Sequence, residues 1–191
     1  MLSSGIAMHN ENELINGCIK GERKAQRQLY ELYSHKMLAV SLRYAKSQPE
    51  AEDIIQEAFI KVFKNIESFR KEAKLYTWIK RIVVNTALNY QRSKLYLYPM
   101  VDVTEMHDMK EEREDILGRF QMEEMLAMIQ ELPTGCQVIF NLFAIEGYQH
   151  DEIAKELNIN VGTSKSQYAR AKMLLRNRIE NAEKERYEKF K

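Results

Sequence analysis

The chain has 191 residues, enough to bury one core or two small ones, and carries a net charge of only +1. No apolar run approaches a membrane span, and no basic region followed by an apolar stretch opens the chain, so membrane insertion and export are not expected and the chain reads as cytoplasmic. Its two cysteines, Cys18 and Cys136, lie far apart without a C-x-x-C pair, which argues against a zinc knuckle or a disulfide framework.

The near-neutral total hides a segregation, and local potential is what a phosphate feels. Arg70, Lys71, Lys74, Lys80, Arg81, Arg92 and Lys94 stand against the single acid Glu72, and Lys165, Arg170, Lys172, Arg176 and Arg178 follow with no acid between them. Acids gather over 50–57 and 105–115. Glycine and proline are scarce and nothing alternates as a strand would, so the expectation is an all-α protein without internal repeats.

In chain order, residues 1–12 read as a mobile lead-in, with Met8 as a second candidate start. Over 13–45 the apolar positions Leu14, Ile15, Cys18, Ile19, Ala25, Leu29, Tyr30, Leu32, Tyr33, Met37, Leu38, Val40 and Leu42 predict two helices divided near Gly21, with these residues in the core. Ser47-Gln48-Pro49-Glu50 has capping-box spacing with a proline in the first turn, opening a helix to about Ser68. Ile54, Ile55, Ala58, Phe59, Val62, Phe63 and Ile66 form its apolar face. Opposite stand Asp53, Gln56, Glu57 and Ile60. A solvated face that happens to hold one isoleucine is the plain account; an acidic and amide patch with an apolar centre, suited to a basic helical partner, is the functional one.

A short basic loop over 68–73 leads to a helix over 74–92. Its stripe of Leu75, Ile79, Ile82, Val83, Thr86 and Tyr90 points to the core, and Thr77, Lys80, Arg81, Asn85 and Arg92 lie outside it. Basic groups beside the aromatic edges of Tyr76 and Trp78 suit a single nucleic-acid strand, cations tracking phosphates while rings stack on bases. Trp78 fits the core equally well.

After Lys94 the periodicity fails. Residues 95–115 carry Tyr96, Tyr98, Pro99 and the acidic run, and a connection this long is unusual inside one compact domain, so two small helical domains joined by a flexible linker are expected, at 13–94 and 116–182. The second would hold a helix to Leu132, a stop at Pro133, a helix over 134–145, a turn at Gly147 and two final helices. Leu126, Ile129, Leu132, Val138, Ile139, Leu142 and Phe143 would make its core. In the final pair Ile153, Ala154 and Leu157 share one face of the first, while Ser164, Tyr168, Ala171 and Leu175 share the core face of the second. Ser166, Ala169, Arg170 and Met173 then point outward, flanked by Thr163, Lys165 and Gln167. Two short helices, a tight turn and a basic outer face are what a helix-turn-helix needs in a major groove; a surface helix hairpin is the plain alternative.

Together, AEDIIQEAFIKVFKNIESF, LYTWIKRIVVNTALNYQR and ELPTGCQVIFNLFAIEGYQHDEIAKELNINVGTSKSQYARAKMLLR resemble regions 2 and 4 of bacterial sigma-70 family factors, and the short connection resembles the extracytoplasmic-function (ECF) group. The resemblance runs over about 13–179. It implies that Asp53, Gln56, Glu57 and Ile60 meet the β′ clamp helices of core RNA polymerase, whose β subunit is a further partner. It implies that Arg70, Lys74, Tyr76, Trp78, Lys80, Arg81, Asn85 and Arg92 serve the −10 element of promoter DNA, with Asn85 reading an unpaired base through an amide that both donates and accepts. Thr163, Lys165, Ser166, Gln167 and Arg170 would serve the −35 element, and the linker would thread the polymerase cleft. An anti-sigma inhibitor is a further partner of such proteins, although no residue here identifies one.

Three positions depart from the family pattern. Ser164 stands where an apolar residue is common, implying looser packing of the recognition helix. Gln167 stands where arginine is common, and an amide favours adenine over guanine. Gln149 replaces a serine N-cap, which would leave Glu152 without its capping-box partner at a cost of about 1 kcal/mol. No cofactor, metal or catalytic constellation is expected. His9, His35, His107 and His150 fall in separate segments, with no H-x-x-x-H spacing, nucleophile elbow or phosphate-binding glycine loop. A stand-alone helix-turn-helix regulator and a purely protein-binding helical module are the rival readings.

Overall fold

The computed structural model describes the backbone of residues 3–97 and 122–189, in which every regular element is a helix. Packing divides the chain between Asn89 and Tyr90 into two units.

The first unit is built from α1 (Ser3–Ile19), α2 (Arg23–Leu42), α3 (Gln48–Asn65) and most of α4 (Leu75–Leu97). Helix α1 starts at Ser3, so the expected mobile lead-in is helical over 3–12; no proline or central glycine pair interrupts it there. Gly21 ends it in the left-handed region at φ +74°, and the Glu22 N–H reaches the Gly17 carbonyl at 2.9 Å, closing the helix end. At the start of α3 the Ser47 hydroxyl accepts from the Glu50 N–H at 3.4 Å, and the Glu50 carboxylate accepts from the Lys46 N–H at 3.2 Å. The reciprocal arm of the expected capping box thus falls on the residue before the cap.

Leu29 and Met37 of α2, Ile54, Ala58, Phe59 and Val62 of α3, and Leu75, Ile79, Val83 and Leu88 of α4 are buried in this unit. Val84 and Ala87 widen the α4 stripe, and Ile82 and Tyr90 are only half-buried. Three expected core residues, Ile19, Tyr30 and Leu32, are exposed instead. Helix α2 packs on α1 and α3, and its apolar set wraps further round the cylinder than those two neighbours reach. Tyr30 keeps one edge on the Phe59 ring, centroids 4.8 Å apart.

The second unit holds α5 (Met122–Gln130), α6 (Thr134–Phe140) continuing as a π-helical turn (Asn141–Ile145), α7 (His150–Leu157) and α8 (Val161–Lys189). Of the linker expected at 95–115, residues 95–97 belong to α4 and 98–115 lie outside the described residues, as do 116–121 of the helix expected next. Pro133 opens α6, and Gly147 turns the chain at φ +81°. Ile129, Leu132, Cys136, Ala171 and Leu175 pack together, with Met128, Phe140 and Leu174 against them. Leu126 and Phe143, expected in this core, are half-buried. Cys18 and Cys136 are both buried and neither is in a disulfide.

The capping-box arm expected to be lost at α7 is present. The Glu152 carboxylate accepts from the Gln149 N–H at 2.7 Å, because that arm of a capping box needs only the backbone of the cap residue. At the other end Asn158 adopts φ +54°, a conformation asparagine tolerates, and the Ile159 N–H closes on the Ala154 carbonyl at 3.0 Å. The chain then re-enters helix at Val161.

Candidate nucleic-acid interface

Three surfaces hold the residues singled out from the sequence. On α3 the apolar side is filled, so the 100° step of the helix turns Asp53, Gln56, Glu57 and Ile60 outward, and all four are exposed, Ile60 at 54 %. An isoleucine that open is the apolar centre of an acidic and amide stripe. Glu57 carries Lys61 at 2.6 Å, one turn on. Beside the stripe, α2 and α3 border a groove of 430 Å³ lined by Tyr30, Glu31, His35, Leu38, Glu52 and Gln56, among others. Sequence periodicity missed it because it assigned Tyr30 to the core.

The second surface begins where α3 tightens into one 3₁₀ turn, Ile66–Ser68. In the loop that follows Lys71 takes φ +60°, and its ammonium donates to the Asn12 side-chain oxygen at 2.7 Å. Arg70 and Lys74 are exposed there, and Tyr76, Arg81 and Asn85 are exposed along the first turns of α4, with Lys80 half-buried. Trp78 takes neither of its two expected places fully: it is half-buried, its ring tilted 49° against Phe69 at 5.4 Å. Phe69 was not anticipated and buttresses this aromatic edge. Arg92 lies beyond the division, in the second unit, where its guanidinium meets the Glu156 carboxylate at 3.3 Å.

The third surface is the start of α8, where the structure corrects the sequence. Lys165 is exposed, Ser166 and Arg170 are half-exposed, and the Ser166 hydroxyl donates to the Thr163 carbonyl at 3.1 Å. Thr163 and Gln167 are buried, at 7 % and 3 % exposure, and are not flank residues. The Gln167 side-chain oxygen accepts from the Cys136 thiol of α6 at 3.0 Å, so the adenine-reading amide expected there faces the protein. The buried arc comprises Thr163, Ser164, Gln167, Ala171 and Leu175, turned by roughly 40° from the arc read off the apolar residues. Tyr168, placed in the core by periodicity, is half-buried among Phe140, Phe143 and His150, with the Lys172 ammonium 5.0 Å from its ring centroid. Ser164, expected to loosen the packing, is fully buried and hydrogen-bonded to His150 Nδ1 at 2.9 Å. Burial, and then the nearby Lys165 charge, hold the His150 imidazole below its ordinary pKa.

The chain matches Sigma-70 region 2 over residues 29–95 and Sigma-70 region 4 over residues 122–175. It is 31% identical over 178 residues to the ECF RNA polymerase sigma-E factor of Escherichia coli, spanning 87% of this chain and 93% of the relative. It is 30% identical to the factor of that name in Haemophilus influenzae, over 89% of this chain and 95% of the relative. This chain belongs to the ECF sigma-factor family. An RNA polymerase sigma-H factor from Pseudomonas aeruginosa is similar at 30% identity, over 87% of this chain and 92% of that one. The region 2 match carries the α3 stripe and the basic loop of this sigma factor, and the region 4 match carries α6, α7 and the first half of α8. Matches to both regions favour a sigma factor over a stand-alone regulator. Among the described residues of this family member, no helix is long and apolar enough to cross a membrane.

Helix α8 continues past the region 4 match to Lys189. Arg178 donates to the Met128 carbonyl at 2.9 Å, near the end of α5, and Arg186 contacts both oxygens of Glu124 at 2.5 and 2.6 Å. These charged contacts extend the α5–α8 packing beyond the apolar cluster.

Proposed function

We propose that the chain binds core RNA polymerase and directs promoter-specific initiation, using its two units on separate promoter elements. The observation that carries this reading is the pair of matches, region 2 and region 4 in that order, in relatives about 30% identical over most of both chains. In this reading Asp53, Gln56, Glu57 and Ile60 dock on the β′ clamp helices, where carboxylates meet basic groups around one apolar contact. Arg70, Lys74 and Arg81 attract the backbone of the non-template strand, and Tyr76, the edge of Trp78 and the amide of Asn85 take an unpaired base of the −10 element. Lys165, Ser166 and Arg170 face the major groove of the −35 element; Thr163 and Gln167 are no part of that contact, being buried. Bond making and breaking belong to the polymerase, and this work would be done in the cytoplasm, where polymerase and DNA meet.

Transcription by sigma-free core polymerase on genomic fragments tests the proposal: added protein should create defined start sites, and unchanged initiation would refute it. Charge reversal at Asp53 and Glu57 should weaken co-elution with core enzyme in gel filtration while leaving the unfolding midpoint in place. Undiminished co-elution would remove the docking face from this proposal.

A further inference from the structure

Helix α8 is seated on a polar seam. In the first turns of a recognition helix, apolar knobs would ordinarily set its depth, but here three of the buried residues, Thr163, Ser164 and Gln167, are polar. A buried hydroxyl or amide needs a partner, and that need confers direction, since a hydrogen bond weakens steeply when bent whereas an apolar contact does not. Two bonds supply it within one turn of α8. Ser164 is tied to His150 on α7 at 2.9 Å, and Gln167 to Cys136 on α6 at 3.0 Å.

The His150 ring cannot easily follow if α8 rotates. It is stacked on Phe143 of the π-helical turn, outside α8, with centroids 4.3 Å apart and planes within 15°. Burial, and then the charge of Lys165 beside Ser164 on α8, oppose protonation of this ring, and the neutral imidazole can accept from the serine hydroxyl. The outward residues Lys165, Ser166 and Arg170 are interleaved with the tied ones. A rotation of about 20° about the α8 axis displaces atoms at the outer radius of the helix by about 2 Å. That is enough to forfeit a bidentate contact to a base edge.

We propose that His150 and Ser164 form a positioning clasp that sets the rotation of α8, so that this pair governs discrimination of the −35 sequence without touching DNA. The inference rests on the reading of α8 as the −35 helix.

The test uses the full chain with core polymerase on two promoters that differ only in a scrambled −35 element, and it reads the ratio of transcript yields. Ser164→Ala removes the hydroxyl. His150→Phe keeps the stacked ring and removes the nitrogen, and His150→Asn restores an acceptor near the position of Nδ1. The first two should each lower the ratio by about threefold to tenfold, the size of one net hydrogen bond, with little change on the scrambled promoter. Combined, they should lower it no further than either alone, and His150→Asn, which keeps an acceptor but loses the stacked ring, should recover only part of it. If His150→Phe does not fold, Ser164→Ala and His150→Asn carry the test. Equal loss on both promoters, or an unchanged ratio in all variants of a protein that does depend on the −35 element, overturns the clasp alone. No dependence on the −35 element in the unaltered protein brings down the promoter reading of α8 and the clasp with it.

Discussion

Helices α3 and α8 both present a polar face outward, yet they hide their other sides by different chemistry. On α3 the inward residues are Ile54, Ile55, Ala58, Phe59 and Val62, and burial rewards each for its area. On α8 the first inward residues are Thr163, Ser164 and Gln167, which gain little from leaving water, and Ser164 and Gln167 are held by specific partners. A face built from apolar area announces itself in the sequence. A face built from paired polar groups does not, because threonine, serine and glutamine look the same whether they meet solvent or a buried thiol.

The contrast can be broken in several ways. The largest effect should come from Phe59→Ala, which opens a hole in the first unit next to Tyr30 and Phe63 and should cost about 3–5 kcal/mol in denaturant unfolding. A cost near zero would mean that the apolar face of α3 is not the core face. Next, Gln167→Ala should destabilise the second unit by about 1–3 kcal/mol, chiefly because it empties space that a buried side chain fills, the weak Cys136 thiol donor adding little when it loses its acceptor. Unchanged stability with altered −35 preference would restore the outward placement of Gln167. Arg170→Ala should do the converse, leaving stability almost untouched and weakening −35 use by about 1–3 kcal/mol if the contact to the base edge is bidentate. Equal transcription from an intact and a scrambled −35 element, before and after the change, would defeat that assignment.

The smallest effect concerns pH. The folded chain holds His150 below its ordinary pKa, so folding favours the neutral ring. Its contribution is fully present above the unfolded value, about 6.5, and is lost as the pH falls through the lower folded value. Unfolding of the second unit followed from neutral to acid pH should show this loss, and His150→Phe should flatten the profile. A slope of the opposite sign would mean that the ring is stabilised in its charged form.

Much of the architecture was legible because local chemistry and tertiary packing agree. Gly21 and Gly147 mark turns by taking positive φ, Ser47 caps α3, and Pro133 stops one helix and opens the next. The exposed stripe of α3 followed from the same logic, since filling one side of a helix with isoleucine and phenylalanine leaves Asp53, Gln56 and Glu57 nowhere but outside. The errors on α1 and α2 have another origin. Ile19, Tyr30 and Leu32 were assigned to the core because they are apolar, but whether a neighbour arrives to cover an apolar residue is settled by where other helices pack. The π-helical turn after Phe140, which carries the ring that stacks on His150, likewise had no marker in the chain.

What the sequence determined by itself was the helical class, the turns at Gly21, Pro133 and Gly147 and the inner side of α3, since propensity, capping and periodicity act over a few residues. The bonds from His150 to Ser164 and from Cys136 to Gln167, and with them the side of α8 left to solvent, were decided only in the tertiary structure. Those pairs lie 14 and 31 residues apart, and a directional bond between side chains exists only once packing has brought donor and acceptor within reach.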